Sequence, residues 1–212
     1  MRVVVPFAAE QPKTRLSSVL SPDERRTFAR AMLDDVLTVV HEAGHDPVVL
    51  ATAPFESDST GNAILRDTPV VVDDRPLSLA VNSVLSETDA PVAVVMSDLP
   101  LATRESLQRL IAVDSEIVIA PGRGGGTNAL VVRHADFRVD YHGVSYRDHL
   151  HVARDVGASV ETVDSFRLAT DVDEPTDLVE VLLHSDGDTT QWLVDAGFDL
   201  DSTGGRVGVR RD

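Results

Sequence analysis

The chain has no cysteine in 212 residues. That excludes disulfides, thiolate nucleophiles and cysteine-held zinc or iron–sulfur centres. Lysine is nearly absent too. Lys13 is the single one, and arginine supplies every other fixed positive charge. With a formal net charge of −16, no basic stripe is available to neutralise phosphates, so a nucleic-acid partner is not expected. No apolar run approaches the roughly 20 residues that cross a bilayer, so no membrane partner is expected either. The opening "MRVVVPFAAEQP" has neither the apolar core nor the cleavage site of a signal peptide, which places the protein in the cytoplasm. Repeats, low-complexity tracts and Pro/Ser linkers are also missing, which implies one domain over residues 1–212.

What is present is acid. Asp and Glu number 35 and are spread along the whole chain instead of forming a tail. Two explanations follow: an acidic interaction surface, or adaptation to a salty interior. At 1 M salt the Debye length is about 3 Å, so self-repulsion is screened. The scarcity of lysine favours the halophile reading. The apolar fraction of 42% is enough to build a core.

Apolar runs alternate with helical patterns. "RVVVPF" (2–7) reads as a strand buried on both faces. Residues 21–44 read as a helix with a capping box at Ser21 and Glu24, Pro22 at its first position and Gly44 at its end. Phe28, Met32, Val36, Val39, Val40 and Ala43 form its apolar stripe. Strands are expected at 46–53, 69–74, 90–100, 115–122, 127–133 and 158–163, with 90–100 central. Helices are expected at 76–87, 103–112, 145–157, 174–186 and 189–197. This β–α alternation predicts an α/β fold with a mostly parallel sheet and helices on both faces. The polar stretch 198–212 reads as frayed or as reaching toward a partner subunit.

Ligands in such folds bind beyond the carboxyl ends of the strands. "AAEQPKTRLS" follows the first strand, "SDLPL" the central one, "PGRGGGTN" the next, and "LATDVDEP" lies near the end. Lys13 and Arg15 combine a point charge with a bidentate fork, a pairing that suits a polyphosphate. Asp171 and Asp173 stand two apart, so in extended chain they face one way and repel unless a cation separates them. Hard carboxylate oxygens of this pair suit magnesium. Asp98, directly after the central strand, is a further candidate residue, with a strand-ending Asp before a Leu-Pro turn as the plain alternative. Capping of the following "EPTDL" turn by Asp173 is the competing explanation. Gly124, Gly125 and Gly126 allow close backbone approach to an anion, but their context fits neither a Walker loop nor a dinucleotide fingerprint. Gly143 and Ser145 stand at a helix start, another anion site. His142, His149 and His151 read as surface or core residues, since His149 and His151 point apart on a helix. Cations, glycines and carboxylates without a nucleophile–His–Asp set describe phosphoryl or nucleotidyl transfer.

Together "PKTRLS" (12–17), "SDLPL" (97–101), "APGRGGGTNAL" (120–130) and "FRLATDVDEPTDL" (166–178) resemble the 2-phospho-L-lactate guanylyltransferase family, nearly end to end. The resemblance implies a nucleotide-diphospho-sugar transferase-like, Rossmann-like fold, a single nucleotidyltransferase domain and a homodimer. It implies that GTP condenses with 2-phospho-L-lactate to lactyl diphosphoguanosine plus pyrophosphate, in deazaflavin coenzyme biosynthesis. Bacterial relatives of similar pattern take phosphoenolpyruvate. Carried over by position, Asp98, Asp171 and Asp173 would hold magnesium, while Lys13 and Arg15 would meet the reacting phosphates. Leu79 and Asn82 would lie near the base, and Thr127, Gly143 and Ser145 would seat the phosphorylated acid. Rival readings are another nucleotidyltransferase of this fold, or a non-catalytic nucleotide-binding regulatory subunit.

Overall fold

The computed structural model describes residues 1–55, 63–203, 205 and 207–212. In chain order it runs β1 (Arg2–Phe7), a short 3-10 helix (Thr14–Ser18), α1 (Pro22–Glu42), β2 (Pro47–Ala51), α2 (Ala63–Asp67), β3 (Val70–Val72), α3 (Leu77–Ser86), β4 (Val92–Val95), α4 (Arg104–Ala112), β5 (Ile117–Pro121) and β6 (Thr127–Val132). It continues with α5 (Ser145–Asp155), β7 (Val160–Thr162), α6 (Phe166–Ala169), a second 3-10 turn (Pro175–Asp177), α7 (Leu178–His184), α8 (Asp188–Asp195), β8 (Phe198–Asp201) and β9 (Gly208–Arg211).

Seven strands form one sheet in the order β3-β2-β1-β4-β6-β5-β7. β4 is central, as its apolar run predicts. All neighbours pair parallel except β6, which runs antiparallel to both β4 and β5. The sheet works because its strands are apolar on both faces. Val3, Val5 and Phe7 of β1 pack with Phe28, Met32, Val36 and Val40 of α1. Val4 points the other way, to a core shared with Ala80, Val81 and Val84 of α3 and Ala153 of α5. Helices α4, α7 and α8 join the α1 side through Leu107, Leu110, Leu178, Val181 and Leu193.

The longest helix starts where its sequence predicts. Glu24 N–H donates to Ser21 Oγ (3.4 Å), and Ser21 N–H donates back to Glu24 Oε2 (2.8 Å). The same helix also orders a distant one. Asp35 of α1 accepts from the amides of Asp188 (2.7 Å) and Thr189 (3.0 Å), closing the N-terminus of α8.

Among the described residues of 198–212 the chain is not frayed: β8 and β9 form an antiparallel hairpin. Phe198 is buried in the α1-side core. Arg211 donates to the carbonyls of Val19 (2.9 Å) and Ala196 (2.9 Å), pairs with Glu24 and lies over the Phe198 ring. The physical reason is alternation: in Phe198-Asp199-Leu200-Asp201, one face is apolar and one acidic. Among the described residues, no helix is long and apolar enough to cross a membrane.

Candidate active site

The carboxyl ends of β1, β4 and β5 gather the charged motifs on one edge. After β1 the chain reaches Lys13 with φ 53° and ψ 46°. Among the described residues it is the one non-glycine position with positive φ. An L-residue here costs roughly 1–2 kcal/mol, a strain that folded proteins keep mainly at functional positions. Buried Leu16 anchors the 3-10 turn that follows, its amide donating to Lys13 O (3.0 Å).

This turn holds the lysine side chain inward. Lys13 Nζ lies 2.5 Å from Asp98 Oδ2 and 2.8 Å from Asp173 Oδ1. Arg15, more exposed, reaches Asp173 Oδ2 at 3.2 Å. Burial alone would push the Lys13 ammonium down, but the charges of Asp98 and Asp173 and their hydrogen bonds outweigh it and hold the group above its ordinary value. Lys13 is therefore a fixed cation.

Asp98 directly follows the central strand region, and its carbonyl accepts from Val172 N–H (3.1 Å). That bond fastens the Asp171–Asp173 stretch to the end of β4. Val172 is fully buried, so its two neighbours turn the opposite way, as extended chain requires. The capping explanation for Asp173 does not hold. Glu174 and Asp177 form the cap of the Pro175 turn, and Asp177 Oδ2 accepts from the amides of Asp173 (3.0 Å) and Glu174 (2.8 Å). The Asp173 carboxylate is left for Lys13 and Arg15.

Asp171 is held by an amide instead. Asn128 Nδ2 donates to Asp171 Oδ1 (3.1 Å) and to Leu168 O (3.0 Å). Burial pushes the Asp171 carboxyl up; the Asn128 bond opposes this, while the charge of Asp98 adds to it. Among the described residues, no three His, Asp or Glu side chains are already grouped as a metal site. The chemistry of the set does suit magnesium: three hard carboxylates on one sheet edge, two of them now bridged by a single ammonium.

The glycine motif is the β5–β6 hairpin loop. Gly122 N–H donates to Gly126 O (2.9 Å) and Gly125 N–H to Gly122 O (3.0 Å). Gly125 has φ 84°, and a side chain there would also press on Val144. At Gly122 a Cβ would stand 2.5 Å from Asn128 Oδ1. Gly122 and Asn128, inside the quoted motif but not singled out there, are thus the pair that positions Asp171. The signal for Asn128 was a polar residue in a strand apolar on both faces, which must find buried partners. Gly124 makes no such close approach.

Across the loop lies the start of α5. Val144 precedes it with no side-chain cap, and Tyr146 N–H donates to Gly125 O (3.2 Å). Thr127 and Ser145 are both buried here, and Gly143 takes a positive φ of 51°. Thr127 Oγ1 lies 2.9 Å from Nδ1 of His149, a core residue as the helix geometry predicts, whereas His142 and His151 are exposed.

A cavity of about 350 Å³ opens among Gln11, Lys13, Arg15, Asp98 and Asp173. A second, of about 220 Å³, shares Phe7, Ala8, Ser97 and Asp98 with it, so the two are lobes of one cleft. Leu50, Leu77, Ala80 and Met96 make the second lobe apolar, with Thr52, Asp73 and Arg75 adding polar groups. Leu79 and Asn82 do not line this lobe, and Thr127, Gly143 and Ser145 line neither of the two. Leu79 is 55% exposed. Asn82 is committed to the backbone of Val139, donating to its carbonyl (2.9 Å) and accepting from its amide (2.8 Å). The helix does reach the lobe, through Leu77 and Ala80.

Comparison with known proteins bears on this edge directly. Residues 1–211 match the family described as "Guanylyl transferase CofC like". The chain belongs to this family. Relatives named 2-phospho-L-lactate guanylyltransferase include one from Haloarcula marismortui, 58% identical over 100% of this chain and 99% of its own. Another, from Methanoregula boonei, is 46% identical over 98% and 94%. The fold is similar to that of a putative nucleotide-diphospho-sugar transferase from Desulfovibrio desulfuricans (TM-score 0.74, 18% identity, 92% and 94% covered). It is also similar to a nucleotidyl transferase from Methanothermobacter thermautotroptrophicus (TM-score 0.63, 18% identity, 86% and 96% covered). The α/β sheet of this guanylyltransferase family member is thus a nucleotidyltransferase fold, and the cleft lies on the edge where such sheets place ligands.

Proposed function

We propose that the protein condenses GTP with 2-phospho-L-lactate, forming lactyl diphosphoguanosine and releasing pyrophosphate. One observation carries the reading: a largely buried ammonium, Lys13 Nζ, held between Asp98 and Asp173 in the more polar lobe of the cleft. The full-length relatives support the substrate pair.

A phosphate oxygen of the phosphorylated acid attacks the α-phosphorus of GTP in line. One P–O bond forms, the bond to the β-phosphate bridge breaks, and pyrophosphate carries away the electron pair. The attacking group is already an anion and needs no general base. The barrier is charge: two polyanions must meet. Lys13 and Arg15 lower it by placing fixed positive charge where phosphate oxygens gather. The apolar lobe between β2 and α3 receives the base, with Asp73 and Arg75 as polar neighbours. The Gly125–Thr127 loop and the start of α5 seat the acid. Asp98, Asp171 and Asp173 would hold magnesium, which would supply neutralising positive charge for the polyanionic substrates. A homodimer, a cytoplasmic location and a high-salt interior belong to the same reading.

The test is pyrophosphate release in molar KCl, with a matrix of nucleotides against phosphorylated acids. GTP with 2-phospho-L-lactate should give the largest kcat/KM. A larger value with phosphoenolpyruvate or with another nucleotide would overturn the substrate assignment, and no turnover with any pair would overturn the enzyme reading.

A further inference from the structure

A buried histidine meets the Thr127 hydroxyl beside the start of α5. His149 is fully buried, yet both of its ring nitrogens have partners. Nε2 lies 3.0 Å from the backbone nitrogen of Asp140, and Nδ1 lies 2.9 Å from Thr127 Oγ1. A backbone N–H can only donate, so Nε2 must accept. A neutral imidazole has one N–H, and it must therefore sit on Nδ1. Nδ1–H then donates to Thr127 Oγ1. That hydroxyl keeps one proton of its own, and among the described residues it meets no acceptor.

The alternative tautomer would reverse the polarity. With the proton on Nε2, the imidazole would clash with the Asp140 amide, and Nδ1 would accept a hydrogen bond from the Thr127 hydroxyl. Thr127 would then offer only lone pairs to an incoming anion. The Asp140 amide thus selects a hydroxyl that donates. The surroundings also favour an anion: Ser145 stands one turn before His149 on the same face of α5, at a helix start without a side-chain cap.

We infer that His149 is a positioning residue that fixes the Thr127 hydroxyl as a hydrogen-bond donor to the phosphorylated acid. This rests on the reading that Thr127 seats that acid, and the experiment separates the two.

Steady-state constants for 2-phospho-L-lactate and GTP are measured for Thr127→Val, His149→Gln, His149→Asn and the Thr127→Val/His149→Gln double variant. Thr127→Val should raise KM for the acid about tenfold, the worth of one hydrogen bond to a charged group, and leave KM for GTP unchanged. His149→Gln should do the same. The double variant should be no worse than Thr127→Val alone, because the histidine acts through that hydroxyl. His149→Asn, whose amide N–H can replace Nδ1–H, should recover most of the loss. If His149→Gln multiplies the acid KM equally in both backgrounds, the inference fails while the seat of the acid stands. If Thr127→Val leaves the acid KM unchanged, the seat itself fails and the inference with it. Should His149→Gln not fold, nitrogen NMR of the wild-type imidazole reads the tautomer directly, and a proton on Nε2 would overturn the inference.

Discussion

Lys13 breaks two ordinary rules at once: its backbone is left-handed and its side chain is only 10% exposed, the ammonium largely withdrawn from water. Each is costly alone. Both make sense if a compact charge must stand at one point between two carboxylates and a phosphate. Arginine spreads its charge over a planar fork and cannot reproduce that point. Lys13→Arg should therefore keep the fold yet lower kcat at least about tenfold, and Lys13→Ala should lower it about 10²–10³-fold. Unchanged turnover in Lys13→Arg would show that the lone lysine is incidental. His149 gives a second residue-scale effect, on stability. Burial holds its pKa at about 4, below the ordinary 6.5. The unfolded chain thus binds a proton that the folded one refuses between those values. The stability present above pH 6.5 is lost as pH falls toward 4, by up to roughly 3 kcal/mol. Denaturant unfolding at pH 7 and pH 4.5 should show a smaller acid-induced loss in His149→Asn than in the wild type.

At the scale of elements, the reversed strand β6 shapes the site. Because β6 turns back beside β5, its first residues lie on the same sheet edge as the ends of the parallel strands. Thr127 and Asn128 therefore serve opposite sides of one loop, Thr127 toward α5 and Asn128 toward Asp171. Gly122 is what lets the Asn128 amide fit. Gly122→Ala should displace that amide and release Asp171, costing activity about tenfold or more, since a buried amide then loses its partners. Circular dichroism should show an intact fold, and full activity in this variant would show that Asn128 does not position Asp171. The direction of β6 was not legible in the sequence. A strand apolar on both faces fits a parallel or an antiparallel neighbour alike, and the glycine loop reads as a turn in either case. Short α2, short α6 and the first 3-10 turn were missed for a different reason: each is too brief to show a helical period.

At the scale of the whole molecule, the net charge of −16 dominates. Repulsion among carboxylates on one small surface opposes compactness, and salt screens it. The melting temperature should rise steadily from low salt to molar KCl, and a flat profile would remove the halophile reading. At this scale much was legible. Both-face apolar strands, the capped α1 and the alternation of elements specify a layered sheet, because burial patterns follow period and length. Lys13, Arg15 and Asp98 stood out through their place after strands, and Asp173 through its two-residue spacing from Asp171. The bonding of Asn82 was not legible, because its amide looks the same in sequence whether it faces a ligand or the Val139 backbone. The C-terminal hairpin carried a visible signal in its Phe-Asp-Leu-Asp alternation, masked by so much surrounding acid.

The bond from Val172 to Asp98 has a consequence in time. Lys13 emerges early in synthesis, but its second carboxylate comes 160 positions later. A nascent chain that stops before that stretch has the cation and one acid, with nothing to fasten the other side of the cleft. On the proposed reading, a truncated translation product that lacks residues 171–173 should therefore not retain nucleotide, whereas the finished chain should.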